Sequence, residues 1–136
     1  MTSLEAFDQL SYYTLSHKKD EFIHQYIVDA FAAQMADENT KSIKINFGLI
    51  GLYLHLEKGF TGKQVQKAHM QLARYKTRLP KIDLPEKRGG IGVFDVLATT
   101  EGEGRDAKIE DWMHSVWDAY KGSHQTIKDY LEKFLQ

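Results

Sequence analysis

Residues 43–58 read IKINFGLIGLYLHLEK, and the secondary structure of this stretch decides the fold class of the chain. Its apolar residues alternate strictly along both arms of a β-hairpin that would turn at Ile50-Gly51. Folded as a helix, the stretch is apolar almost all round, and the exceptions fall on one narrow face: Lys44, Gly48, Gly51 and His55. A face lined by glycine lets a neighbouring helix approach closely. We therefore predict a helix, with the hairpin as the alternative.

Helical periodicity predicts further helices on both sides of this stretch. Residues 4–14 carry apolar side chains at helical spacing and indicate a short first helix. A second helix is predicted over residues 20–36, and it is apolar on most of its surface, as expected for a helix in the middle of a bundle. Thr61 followed by Gln64 is a capping-box pattern that predicts a helix over residues 62–78.

The C-terminal half contains one connection and one long helical pattern. Residues 79–92 hold both prolines and several glycines, which indicates a connection, and residues 93–98 are long enough for one or two helical turns. A continuous apolar face over residues 107–134 predicts a last helix with a small kink at Gly122. The predicted fold class is all-α: a single domain over residues 1–136, built as an up-and-down type bundle of four main helices plus a short N-terminal helix.

Composition narrows the class of function. The chain has 18 basic and 19 acidic residues, so its net charge of −1 offers no basic face for nucleic acid. It contains no cysteine, so a metal would have to be held by histidine or carboxylate ligands. No apolar run is long enough to span a bilayer, and the N-terminus lacks the basic start of a secretory signal. We therefore predict a cytoplasmic protein with neither nucleic acid nor membrane as a partner.

Three of the six histidines lie on apolar or semi-apolar stripes of different predicted helices: His24, His69 and His124. One imidazole from each of three helices could form a metal site that leaves a position open for water or substrate. A divalent metal such as zinc is therefore the candidate cofactor, with these histidines as its ligands. No HxxxH or HExxH spacing fixes two ligands on one helix face. The alternative is that the histidines are structural: His124 would be a core residue satisfied by a backbone carbonyl or a tyrosine hydroxyl, and His69 a partly exposed packing residue.

The other polar residues are interpreted as structural or solvated. We expect Asp29 to cap or pair with a basic residue of a neighbouring segment. Solvated positions are predicted for His17, His55, Glu57 and His114. The glycine-rich run at residues 88–92 has neither a preceding strand nor a following GK[ST], so it is interpreted as a flexible connection rather than a phosphate loop.

Three segments resemble a family of small bacterial proteins of unknown function: FIHQYIVDA at residues 22–30, GLYL at 51–54 and TGKQVQKAHM at 61–70. The SVW stretch at residues 115–117, with His124, is similar to the C-terminal helix of that family. The resemblance extends from about residue 20 to the end and implies no activity, but it draws attention to Gln25 and Asp29 beside the three histidines. More loosely, the chain is similar to the DinB-like metal-binding four-helix bundles, although their two ligands one turn apart on a single helix are absent here.

Two hypotheses for function follow. In the first, a histidine-lined pocket binds a small molecule, with a divalent metal as the candidate cofactor, and the chain acts on that molecule. In the second, the chain is a non-enzymatic interaction protein that forms a homo-oligomer, and its histidines are structural.

Overall fold

The stretch that decides the fold class is a helix. In the computed structural model of the chain, which describes residues 1–17 and 21–135, α3 runs over Ser42–Lys58. The helix ends at Gly59, whose left-handed backbone (φ 72°) is the usual conformation of a helix C-cap. The prediction of a helix rather than a hairpin is confirmed.

The described residues contain seven α-helices and no strand, so the predicted all-α class is confirmed. The helices besides α3 are α1 (Ser3–Leu15), α2 (His24–Gln34), α4 (Gly62–Leu72), α5 (Val93–Leu97), α6 (Glu103–Ala119) and α7 (His124–Phe134). Capping boxes begin α1 and α4, where Thr2 pairs with Glu5 and Thr61 with Gln64. These reciprocal hydrogen bonds satisfy backbone N–H groups that a helix start otherwise leaves without a partner.

Several predicted helix bounds differ from the observed ones. The predicted second helix began at residue 20, which lies outside the described residues, whereas α2 begins at His24. The predicted helix over residues 62–78 is α-helical only to Leu72 and continues as a 3₁₀ helix. The predicted long last helix is divided into α6 and α7 by a 3₁₀ turn over Lys121–Ser123, at the expected kink. The described residues thus contain more helices than four main ones and a short first one.

The glycine face of α3 packs against α2, and this is the most extensive helix pair of the fold. A Cβ atom on Gly48 would lie 3.0 Å from the backbone oxygen of Asp29, and one on Gly51 would lie 1.8 Å from Asp29 Oδ2. Gly51 has no room for a Cβ atom and Gly48 has room only for a tight contact, so the predicted close approach of a second helix is confirmed. Because α2 also contacts α1, α4 and α6, it lies at the centre of the molecule, as its broad apolar surface predicted.

Residues 79–92 are an irregular connection, but hydrogen bonds hold it at its C-terminal end. The Gln34 side chain donates to the backbone oxygens of Arg88, at 3.2 Å, and of Ile91, at 2.7 Å. Arg88 in turn donates through its guanidinium to the backbone oxygen of Ala36. The interpretation of residues 88–92 as a flexible connection is therefore wrong, because Gln34 and Arg88 bind this segment to the end of α2.

Among the described residues, no helix combines the length and the apolar character needed to cross a membrane.

Candidate functional site

A groove of about 460 Å³ opens between α1, α2, α3 and α4. Its walls are mainly apolar and aromatic, and the small residues Ala32 and Gly48 form part of its lining where α2 meets α3. Four polar residues line it: Gln25, Asp29, Lys44 and His69. The groove therefore brings His69 of α4 together with Gln25 and Asp29 of α2, two residues to which the family resemblance drew attention.

His69 is held in one orientation by α3. Its Nε2 atom lies 2.9 Å from the backbone oxygen of Phe47, and the two rings stack with centroids 4.8 Å apart. Burial lowers the pKa of His69 to about 4, although the bond to Phe47 acts in the opposite direction. A neutral imidazole carries one N–H, and this one donates to the carbonyl. Nδ1 is left as an acceptor, and no group in the described part of the chain donates to it.

Asp29 is the acidic residue of the groove lining, and it is deeply buried. It is 3% exposed, and its Oδ1 accepts a hydrogen bond from Gln25 Nε2 at 3.1 Å. Oδ2 packs against Gly51, and within residues 1–17 and 21–135 it has no hydrogen-bond partner. Burial raises the pKa of Asp29 well above its ordinary value, and the bond from Gln25 opposes this only in part. The predicted pairing of Asp29 with a basic residue is wrong, since no described cation contacts it.

The raised pKa of Asp29 predicts that the free energy of unfolding depends on pH. Because the folded protein holds this proton more tightly than the unfolded chain does, stability falls as pH rises from the unfolded pKa of about 3.9 toward the raised folded pKa. Asparagine cannot ionise, so Asp29→Asn should match the native chain near pH 4 and exceed its free energy of unfolding by about 1–3 kcal/mol near pH 8. Urea unfolding at several pH values measures this difference.

The control is Asp118→Asn, at an exposed position on α6, which should leave the free energy of unfolding within about 0.5 kcal/mol of native. A native chain that gains stability over Asp29→Asn as pH rises would instead mean that the carboxylate is charged and stabilised in the fold.

The three histidines predicted as metal ligands occupy three separate environments. His24 Nδ1 lies 2.9 Å from Thr14 Oγ1, and burial lowers the pKa of His24. His124 stacks on Trp117 with centroids 3.7 Å apart, and its Nε2 lies 2.7 Å from the Trp117 backbone oxygen. Of the three, only His69 lines the groove. No three histidine, aspartate or glutamate side chains in the described ranges are grouped as a metal site requires, so the zinc hypothesis gains no support from them.

His55, predicted to be solvated, is instead bound on both ring nitrogens. Nδ1 lies 2.7 Å from the Phe60 backbone oxygen and Nε2 lies 2.5 Å from Glu110 Oε1. Burial acts to lower the pKa of His55, but its hydrogen bonds to Glu110 and Phe60 outweigh that effect and the pKa is raised. A protonated ring donates from both nitrogens, which fits both contacts. The ring also packs on Tyr26 of α2, with centroids 3.8 Å apart.

The remaining positions predicted to be solvated give a mixed result. His114 is exposed, as predicted, whereas His17 is half-buried and its Nδ1 lies 2.9 Å from the Tyr13 backbone oxygen. Glu57 is exposed but has structural partners, because it accepts a hydrogen bond from Trp117 Nε1 at 2.8 Å.

The fold and the groove together define an all-α protein with an apolar cleft that contains a neutral imidazole. The chain belongs to the family of unknown function DUF5946, whose sequence pattern matches residues 4–121. Membership of a family of unknown function is therefore confirmed over residues 4–121, while the motif pattern, its extension to His124 and the likeness to DinB-like bundles stay predictions. No curated protein and no solved structure matches the chain.

Proposed function

We propose that the groove between α1, α2, α3 and α4 binds a small molecule that has an apolar body and one hydrogen-bond donor. The orientation of His69 is the observation on which this proposal rests. Its Nε2–H is used by the Phe47 carbonyl, which leaves Nδ1 as the free acceptor of a residue that lines a mainly apolar cleft. A ligand hydroxyl or N–H group could donate to that atom.

The size of the groove supports binding of a small molecule rather than a peptide. Its volume of about 460 Å³ falls within the range of about 300–1,000 Å³ that is usual for ligand pockets. Such pockets combine apolar walls with a few polar groups that orient the ligand, and Gln25, Lys44 and His69 supply those groups here.

Hydrogen bonding is a better role for His69 than proton transfer. A general base works best when its pKa lies near the operating pH, whereas the pKa of His69 is lowered to about 4 by burial. At neutral pH the ring accepts a hydrogen bond but has little tendency to take the proton. The proposal is therefore a binding function, without the metal of the first hypothesis.

A tryptophan at the mouth of the groove tests the proposal. Leu4 lines the groove and is 61% exposed, so Leu4→Trp should leave the fold intact while its indole ring covers the mouth. We expect the affinity for 2-naphthol, an apolar probe with one hydroxyl donor, to fall about tenfold or more, a loss of about 1.4 kcal/mol. Isothermal titration calorimetry measures the affinity.

The matched control is Leu15→Trp, on the same helix, where the leucine is 57% exposed and lies outside the groove lining. This variant should bind 2-naphthol as the native chain does. Failure of the native chain to bind the probe, or equal affinities in all three proteins, would contradict the proposal.

A further inference from the structure

Two stacked pairs of aromatic rings line the groove. Phe7 of α1 stacks on Phe31 of α2 with centroids 4.4 Å apart and an angle of 18° between the ring planes. Phe47 of α3 stacks on His69 of α4 with an angle of 14°. All four rings are half-buried, so part of each stays accessible. Flat aromatic surfaces bind planar rings well, through offset stacking or edge contacts.

The groove lining contains a lysine and an aspartate, and of these two only the lysine presents a charge. Lys44 is exposed and lines the groove, and among the described residues it makes no ion pair. Asp29 is the acidic residue of the lining, but it is buried without a cation, and an ionised carboxylate in that position would carry a large desolvation cost. The groove thus presents a single positive charge at the end of mainly apolar walls, which favours an anionic ligand.

Lys44 lies one helical turn from Phe47, the residue of α3 that holds His69. Phe47, whose carbonyl holds His69, follows Lys44 by three residues, so the two side chains are neighbours on the helix surface. A ligand that lies along Phe47 could therefore meet the lysine ammonium and the imidazole at the same time.

We propose that the ligand of this groove is a planar aromatic monoanion, with an acidic group that binds Lys44 and a donor group that binds Nδ1 of His69. This inference rests on the proposed function, because it names the class of molecule that the same groove takes.

Three naphthalene probes of similar shape but different charge test whether the groove prefers an anion. 6-Hydroxy-2-naphthoate is the anion, 6-hydroxy-2-naphthamide is its neutral counterpart, and 6-(aminomethyl)-2-naphthol is the cation; each keeps the hydroxyl donor. We expect calorimetry to give the anion an affinity about three- to fivefold higher than the amide, with the cation weakest. Lys44→Met should remove the advantage of the anion, because it lowers the affinity of the anion more than that of the amide. Lys41→Met, at an exposed lysine outside the groove lining, is the control and should preserve the advantage.

The outcomes distinguish this inference from the proposed function. If the amide or the cation binds as tightly as the anion, or if Lys44→Met keeps the preference, the charge assignment is overturned and the binding function stands. If none of the three probes binds the native chain, the binding function itself fails, and the inference fails with it.

Discussion

Replacing Gly51 by alanine is expected to lower the free energy of unfolding by about 3 kcal/mol, at the upper end of the usual cost of overpacking. The new methyl group would lie 1.8 Å from Asp29 Oδ2, so either the carboxyl group must rotate or α2 must move away from α3. The carboxyl group is buried between these helices and has little room to rotate. Because α2 and α3 form the most extensive helix pair, a displacement there affects the whole core. Urea or thermal unfolding measures the loss.

Two further variants test whether the stability loss in Gly51→Ala comes from the contact with Asp29. Gly122→Ala is the matched control, because a Cβ atom there meets no heavy atom within 4 Å, and its free energy of unfolding should stay within about 0.5 kcal/mol of native. In an Asp29→Ala background the obstructing carboxyl group is absent, so the cost of Gly51→Ala should fall by about 1 kcal/mol or more. Equal costs for Gly51→Ala and Gly122→Ala would contradict the close approach of the two helices.

Replacing Gln34 by alanine should also be costly, at about 3 kcal/mol. The Gln34 amide accepts a hydrogen bond from the indole N–H of Trp112 at 2.9 Å and donates to the backbone oxygens of Arg88 and Ile91. Trp112 is 0% exposed, so its N–H would lose the one partner that it has among the described residues. A buried polar group left unpaired costs about 1–3 kcal/mol, and the loss of the bonds to the 79–92 connection adds to this.

The control for Gln34→Ala is Gln125→Ala. The Gln125 amide also makes a hydrogen bond, to Asp129 Oδ1 at 2.8 Å, but it does so on the surface of α7, and its removal should cost less than about 0.5 kcal/mol. Limited proteolysis adds a second readout, since Gln34→Ala should make residues 79–92 the first site of cleavage. Similar unfolding energies for the two variants would mean that Gln34 does not anchor the connection.

The close approach of a second helix to α3 could be predicted from the sequence because its signal is local, although the sequence did not indicate which helix it would be. Lys44, Gly48, Gly51 and His55 recur at helical spacing, and that pattern favours a helix with one narrow face of this kind over the hairpin alternative. The structure places all four residues toward α2 or toward the groove beside it. The capping boxes of α1 and α4 are local in the same way, since each is contained within four consecutive residues.

The partners of His55 and His69 could not be predicted, because they are distant in sequence. His69 lies 22 residues from Phe47, and His55 lies 55 residues from Glu110. Periodicity assigned each histidine to a face of a helix but carried no information on which element lies opposite. The metal hypothesis required three such faces to meet at one point. His24 lies against Thr14 instead, and His124 lies against the backbone oxygen of Trp117, a carbonyl partner of the kind that the alternative for His124 expected.

The groove depends on the same small residues that bring α2 and α3 together. Gly48 packs against the backbone of α2 and also lines the groove, and Ala32 faces it from α2. Larger side chains at these two positions would occupy the space that a ligand needs. The fold therefore leaves an apolar cleft beside its tightest helix contact, with His69 at one wall.

The proposed function depends on a hydrogen bond between a ligand donor and Nδ1 of His69, and one comparison of affinities shows whether that bond forms. 2-Naphthol has a hydroxyl donor, which its methyl ether 2-methoxynaphthalene lacks. The His69→Phe variant keeps an aromatic ring against Phe47 but removes both ring nitrogens. In the native chain calorimetry should give 2-naphthol an affinity about fivefold higher than its methyl ether, and in His69→Phe the two affinities should be equal. An equal preference in both proteins, or none in the native chain, would contradict the assignment of His69 as the ligand-binding acceptor.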